Sequence, residues 1–479
     1  MSFRGATFGS VSTFIGALRV VQLLVVGAVG IATLLVAGLL PVMLPWHFVV
    51  ALGAAPLLVV LLWINPALGV GFYLVALLLS PDFKLSDVMT FAVMGVFAAR
   101  IIFERRSLFV VPASLAKPFW LLVGIVALST LFGVVVLKNQ VPFVYRDGRA
   151  FVYWLWVPLL LSMKMAGLLD ASRIRAVVVG FAIAVALMTV FQGISGMQVV
   201  TEGRVGDLDG GGAFGSITRV QIPGLVFVSL SFVWITIGVA TGRVLWWIGG
   251  ALLVLFAAAL YVNFGRALWA WTAFALVISF PFLSVRRGLR VGGLLAIGGA
   301  VLVAGLWVVK PIVLENVVDR VVSVQSEGGH GSSFGWRRWE NEDAVSRIVA
   351  SPIYGVGIGG EYRRWISEIR VFEDHTRYVH NAFLFYGVKI GLPGLMVLLW
   401  LLWTIWRRAF IKRGQDLGVG FNPYETAVAA FLPAFVGLNI TQPELASPFG
   451  VLFASLVVAS LDWDQTEAGG KLARCGAVA

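Results

Sequence analysis

The chain has 479 residues, 59% of them hydrophobic and 13% charged, with a mean hydropathy of +0.93. A soluble fold would need a more polar surface, and an outer-membrane barrel would show short alternating strands instead of long apolar runs. The net charge of +12 lies in patches beside those runs, which suits helix orientation and anionic lipid head groups and argues against nucleic acid as a partner.

The N-terminal stretch MSFRGATFGSVSTFIGALRV has no small-residue cleavage site, so the first apolar run reads as a retained helix. About 20 residues cross a hydrocarbon core. Runs of that kind fall at 21–42, 46–64, 67–81, 86–103, 119–137, 150–169, 174–193, 221–240, 244–262, 265–283, 291–309, 381–405, 424–440 and 446–461. The expected fold is an all-α polytopic membrane protein with about fourteen transmembrane helices, within a range of about twelve to fourteen. The range reflects residues 46–81, which read either as two spans broken at Asn65-Pro66 or as a re-entrant hairpin.

Lys and Arg set the orientation. Basic groups at 100–117, at 164–175, at Arg243, at 284–290 and at 407–413 fall on alternate connections. That parity places both termini in the cytoplasm and turns 194–220 and 310–380 outward. The expected units are a transmembrane bundle over 1–309 with the outer loop 194–220, a large outer loop over 310–380, C-terminal membrane helices over 381–461, and a cytoplasmic tail over 462–479. Cys475 sits in that tail and, as the single cysteine, forms no intrachain disulfide.

The large outer loop has mixed charge. EGGHGSSFG is a Gly/Ser-rich passage. WRRWENEDAVSRIVA places Ala344, Val345, Ile348 and Val349 at helical spacing, which predicts an amphipathic helix. In SPIYGVGIGG, Pro352 opens a turn and the glycines permit close backbone approach. EYRRWISEIRVF predicts a second short helix.

No Walker box, dinucleotide fingerprint, HExxH or paired CxxC is present. Asp207 and Asp209 form a DLD in a Gly-rich loop, an ordinary turn composition, and no metal is expected. Arginine carries more information. Arg266 stands at the outer end of a predicted span, where it either snorkels or meets an anion. Arg204 and Arg219 lie in the first outer loop. Eight more arginines, among them Arg337, Arg338 and Arg377, lie in the second, offset in part by ten acids. Guanidinium groups bind phosphate oxygens in bidentate geometry, so a diphosphate held at the lipid–water boundary accounts for these residues together. His380 sits at the start of a span beside Asn381. A neutral imidazole there would accept a hydroxyl proton, and a charged one would neutralise phosphate.

Three motifs, NFGRAL, GWRRWENEDAVSRIVASPIYGVGIGG and HNAFLFYGVKIGLPG, carry a resemblance to the O-antigen ligase and O-antigen polymerase superfamily of bacterial inner-membrane proteins. NFGRAL resembles its Ser-Arg signature, with Gly265 in place of the serine. The second segment resembles its arginine-bearing helix and Pro-x-x-Gly-x-Gly turn, and Arg337 matches the family arginine best, with Arg338 the neighbouring alternative. The third resembles its His-Asn signature, although Lys389 stands where the family often has an acid.

The resemblance implies a metal-independent inverting glycosyltransferase without a cofactor. It would sit in the bacterial inner membrane as a multi-pass protein, with its active site facing the periplasm. It would transfer a glycan from undecaprenyl diphosphate to an acceptor hydroxyl, in O-antigen or surface-polysaccharide polymerisation or ligation. His380, Arg266 and Arg337 would be catalytic. Arg338, Asn381, Arg219 and Arg204 would bind substrate. Its partners would be the undecaprenyl-diphosphate-linked donor, a glycan or lipid acceptor and membrane lipids, with export or chain-length-control proteins as further candidates. A lipid A–core ligase, a protein O-glycan transferase and a lipid-linked glycan transporter remain as alternatives. The transporter would place its polar groups along a path through the membrane.

Overall fold

The computed structural model describes residues 58–80, 83–200, 204–207, 218–309, 333–365, 375–415 and 422–463. The expected span 21–42 and most of 46–64 lie outside these residues, as do both termini, Cys475, and the greater part of the second outer-loop helix. Of that helix only 361–365 is described, and it is not helical.

In the N-terminal half, the helices are Pro66–Leu78 (α1), Phe83–Phe103 (α2), Ala113–Val135 (α3), Val141–Tyr153 (α4), Trp156–Met165 (α5) and Ala171–Ser195 (α6). A two-stranded antiparallel sheet follows, Arg204–Asp207 (β1) and Thr218–Gln221 (β2), with Val205 opposite Val220. Then come Leu225–Ala240 (α7), Trp246–Asn263 (α8), Arg266–Ser279 (α9) and Val285–Val309 (α10). The C-terminal part holds Ser333–Ala350 (α11), Ala382–Gln415 (α12), Pro423–Thr441 (α13) and Pro448–Ser460 (α14).

The expectation of about fourteen transmembrane helices is corrected. Fourteen α-helices occur among the described residues. Six are long and apolar enough to cross a membrane: Lys84–Phe103, Ala113–Val135, Ala171–Ser195, Trp246–Asn263, Ala382–Ile411 and Pro423–Thr441. Four more are apolar but shorter. The sheet also departs from an all-α chain. The physical reason lies in the breaks inside apolar runs, which a hydropathy window does not register. The expected span 150–169 divides between α4 and α5. Pro158 has no N–H for the Trp154 carbonyl, which accepts from Val157 instead in a tighter turn (3.0 Å). The expected span 265–283 ends at Ser279, where a short 3₁₀ turn carries Pro281. The α-helices in the expected spans 67–81 and 446–461, Pro66–Leu78 and Pro448–Ser460, have only 13 residues each.

The six long helices support a multi-pass inner-membrane protein. Only 28% of the α3 and α8 windows is buried by protein, so their apolar faces are left for lipid, whereas α13 is 78% buried and runs through the centre. It packs against α7, α9 and α12, and α12 packs in turn against α3 and α11.

The two ends of α12 differ in character. At its C-terminal end, Arg408 donates to the Asp462 carbonyl (2.6 Å). Lys164 donates to the carbonyls of Ala459 and Leu461, and Arg175 to that of Ser460. These cations satisfy the last carbonyls of α14 and complement its dipole. The opposite end of α12 carries His380 and the glycine turn described next.

Candidate functional site

The site is built around a deliberate break in α12. Gly391 is non-helical (φ 73°, ψ 177°), and Pro393 supplies no N–H. The backbone groups freed there are taken up by the turn after α11. Val356 N–H donates to the Val388 carbonyl (2.7 Å), and Leu392 N–H donates to the Pro352 carbonyl (2.8 Å). Gly355, Gly357 and Gly359 all have positive φ, which favours glycine. A Cβ at Gly355 would also run into the Val388 carbonyl. The close approach expected from SPIYGVGIGG is therefore real, and its partner is the α12 kink. Asn139 donates to the Val356 and Ile358 carbonyls and fixes the turn from the other side.

Lys389 has a clear structural role here. It is fully buried, with its ammonium 2.6 Å from Asp147 on α4, and it donates to the Gly360 carbonyl (2.7 Å). An acid at 389 would face Asp147, so this chain's departure from the family pattern is matched by a charge on α4. Removing one member of a buried pair strands the other. Lys389→Met is expected to destabilise the protein by about 3–5 kcal/mol, read as a lower apparent melting temperature in detergent micelles. Lys389→Met/Asp147→Leu is expected to recover most of the loss. Equal losses in the single and double variants would contradict the pairing.

His380 precedes the first turn of α12. Asn381 caps that helix, its side-chain oxygen accepting from Phe383 and Leu384 N–H (3.0 and 3.2 Å). This places Asn381 in a capping role, with the donors of its amide still available to a ligand. Glu340 of α11 accepts the His380 backbone N–H (3.0 Å) and lies 2.8 Å from the ring Nδ1. With Glu340 as a carboxylate, which only accepts, Nδ1 would donate to it, and in a neutral ring Nε2 would keep its lone pair. Glu340 is fully buried and His380 is partly exposed.

Arg363 stands behind this pair. Its side chain is 4% exposed, 3.6 Å from Glu340 and 3.7 Å from Asp343, with its guanidinium over the Trp336 ring. Burial, reinforced by the Glu340 charge, pushes the Tyr362 phenol well up, so it stays a donor to the Tyr378 carbonyl (3.1 Å).

The amphipathic helix expected in the outer loop is α11. Ala344 and Ile348 are buried, while Val345 and Val349 face outward. Glu340 shares the buried face at i, i+4 and i+8 spacing, a periodicity present in the sequence that marks it beside Ala344 and Ile348. Arg363 had no such signal, because it follows α11 in an irregular segment. Arg337 falls on the same side as Glu340 and Ala344 at i+3 and i+7. Arg338 points away, 76% exposed and paired with Glu342 (3.0 Å).

A second cluster forms at the α8–α9 corner. Asn263 ends α8, Phe264 is left-handed (φ 50°), and Arg266 is the first residue of α9. A Cβ at Gly265 would meet the Asn263 side-chain oxygen. Arg219 of β2 donates to the Asn263 carbonyl (3.3 Å), and Asn263 donates back to the Val220 carbonyl (3.1 Å). The sheet thus brings Arg219 to the corner that presents Arg266 and the free N–H groups of a helix start. Arg204 pairs in register with Gln221 on the neighbouring strand. The two clusters lie on different elements, and α13 packs against both α9 and α12. Among the described residues no group of three or more His, Cys, Asp and Glu is placed to hold a metal ion.

A membrane-embedded helical bundle with a polar, arginine-bearing site at the end of its helices defines the class of protein. Residues 251–399 match the family model of O-antigen ligases (Wzy_C), so the chain carries a domain of that family, in agreement with its motifs. The match spans Arg266, Arg337, Arg338, His380 and Asn381, while Arg204 and Arg219 precede it. It supports an enzymatic role in O-antigen ligation or polymerisation in general. No curated protein matches the chain.

Proposed function

We propose that the protein transfers a glycan from undecaprenyl diphosphate to an acceptor hydroxyl, on the outer face of the inner membrane. The observation that carries this reading is the Glu340–His380 pair inside the O-antigen ligase domain. The buried carboxylate holds the ring so that Nε2 can take a proton at the membrane boundary. The acceptor oxygen would attack the anomeric carbon while its proton passes to His380 Nε2. The bond from that carbon to the phosphate oxygen would break, undecaprenyl diphosphate would leave with the electron pair, and attack from the opposite side would invert the anomeric centre.

Negative charge grows on the leaving oxygen in that step. Arg266 at the α9 start, helped by Arg219, and Arg337 from α11 would stabilise it more in the transition state than before it. In this reading residues 310–380 form the outer loop that lays α11 against α12. The outward orientation is supported by the cations gathered at the far end of α12, which the positive-inside tendency assigns to the cytoplasm. The buried charges Lys389–Asp147 and Arg149–Asp87 are closed pairs, which favours one-sided chemistry over a transport path.

Purified protein supplied with a lipid-linked donor and an acceptor should form a longer glycan and release undecaprenyl diphosphate. Glu340→Gln tests the orienting role. An amide can donate to Nδ1 and stabilise the wrong tautomer, so transfer should fall by roughly 10²-fold or more, by analogy with the tautomer-fixing carboxylate of serine hydrolases. Retention of the wild-type rate and pH profile in Glu340→Gln would remove Glu340 from the reading.

A further inference from the structure

We infer that a trough along the outer face of α11 is a binding site for an acidic glycan, with uronate-type carboxylates held by Arg347 and Arg364; this rests on the glycan-transfer reading. Two cavities form the trough. One, of about 450 Å³, is walled by Trp339, Asp343, Arg347, Tyr362 and Arg364 among others. The other, of about 300 Å³, is bordered by Arg347, Tyr354 and Glu361. Arg347 lines both, so the two volumes adjoin and make an elongated site suited to a chain of sugars.

The charges give the ligand its sign. Both acids on the trough are engaged: Asp343 lies 3.7 Å from Arg363, and Glu361 pairs with Arg377. Arg347 and Arg364 are exposed, and neither has an ion-pair or hydrogen-bond partner among the described residues. A guanidinium fork matches a carboxylate in two parallel hydrogen bonds. The aromatics give the ligand its shape. Trp339 and Tyr354 are 49% and 57% exposed, and Tyr354 is held flat by stacking on Phe132 (4.9 Å). Exposed rings offer flat apolar platforms to the C–H faces of pyranose rings and carry a polar edge beside them. Phe132 and Tyr354 also place one end of the trough beside the last turn of α3, a membrane helix. A sugar chain leaving a lipid anchor would enter there and run outward along α11, past Glu340 on the inner side of the same helix.

The test uses the full chain in detergent micelles on an array of uronate-bearing and neutral oligosaccharides of matched length. Uronate-bearing chains should bind, and Arg347→Ala/Arg364→Ala should weaken that binding about tenfold or more. Trp339→Ala should weaken it as well. His380→Ala should bind like wild type. Binding of neutral chains alone, binding of no oligosaccharide, or an arginine double variant that binds like wild type would overturn the site. So would capture by phosphatidylglycerol vesicles that depends on the two arginines while the array stays blank. If His380→Ala transfers normally yet array binding still needs Arg347 and Arg364, the transfer reading fails and the glycan site stands.

Discussion

His380→Ala is expected to lower glycan transfer by about 10²–10⁴-fold, the range contributed by a positioned general base. Insertion should change little, because the helix cap belongs to Asn381 and the buried Glu340 keeps the backbone N–H of residue 380 and Arg363 as partners when the ring is removed. The same position distinguishes proton transfer from charge neutralisation. His380→Arg keeps a cation but offers no acceptor at neutral pH. With His380 as base, His380→Arg is as inactive as His380→Ala. If the ring only neutralised phosphate, the arginine would restore transfer. Rates measured on purified variants with one donor and one acceptor decide between the two.

Arg266→Ala is expected to cost about 10²–10³-fold in transfer, comparable to removing one preorganised donor from a site of developing charge. The size follows from placement. Arg266 opens α9, where the helix N–H groups and Arg219 already favour an anion. Arg266→Lys should recover part of the rate, since a lysine keeps the charge but loses the planar fork. Because the stabilised charge belongs to the transition state, kcat should fall more than KM rises. A purified Arg266→Ala protein with the wild-type rate would remove this corner from the mechanism.

Much of the site was legible in the sequence, and the reasons are local. The spacing of Ala344 and Ile348 marked α11, and Pro352 with its glycines marked the turn. His380-Asn381 marked a helix start at a membrane boundary. Glu340 was equally readable, one turn before Ala344 on the same face. Long-range pairs were not. Asp147 and Lys389 come together only because α4 and the 355–360 turn both pack against the kinked α12, and no periodicity records that. The Arg219–Asn263 bond likewise depends on a sheet whose first strand pairs across a loop. The span count failed for a different reason. Hydropathy measures apolar length, whereas helix continuity depends on backbone hydrogen bonds, and Pro158 and Pro281 interrupt those inside apolar runs.

The most direct test of the account is a reconstituted transfer reaction. The purified chain receives its undecaprenyl-diphosphate-linked glycan, isolated from the producing cells, together with an acceptor glycan, and both products are quantified by mass spectrometry. The account predicts a new glycosidic product and free undecaprenyl diphosphate in equal amounts from wild type, and neither from His380→Ala. Equal transfer by wild type, His380→Ala and Arg266→Ala, or no glycan product from wild type, would contradict it.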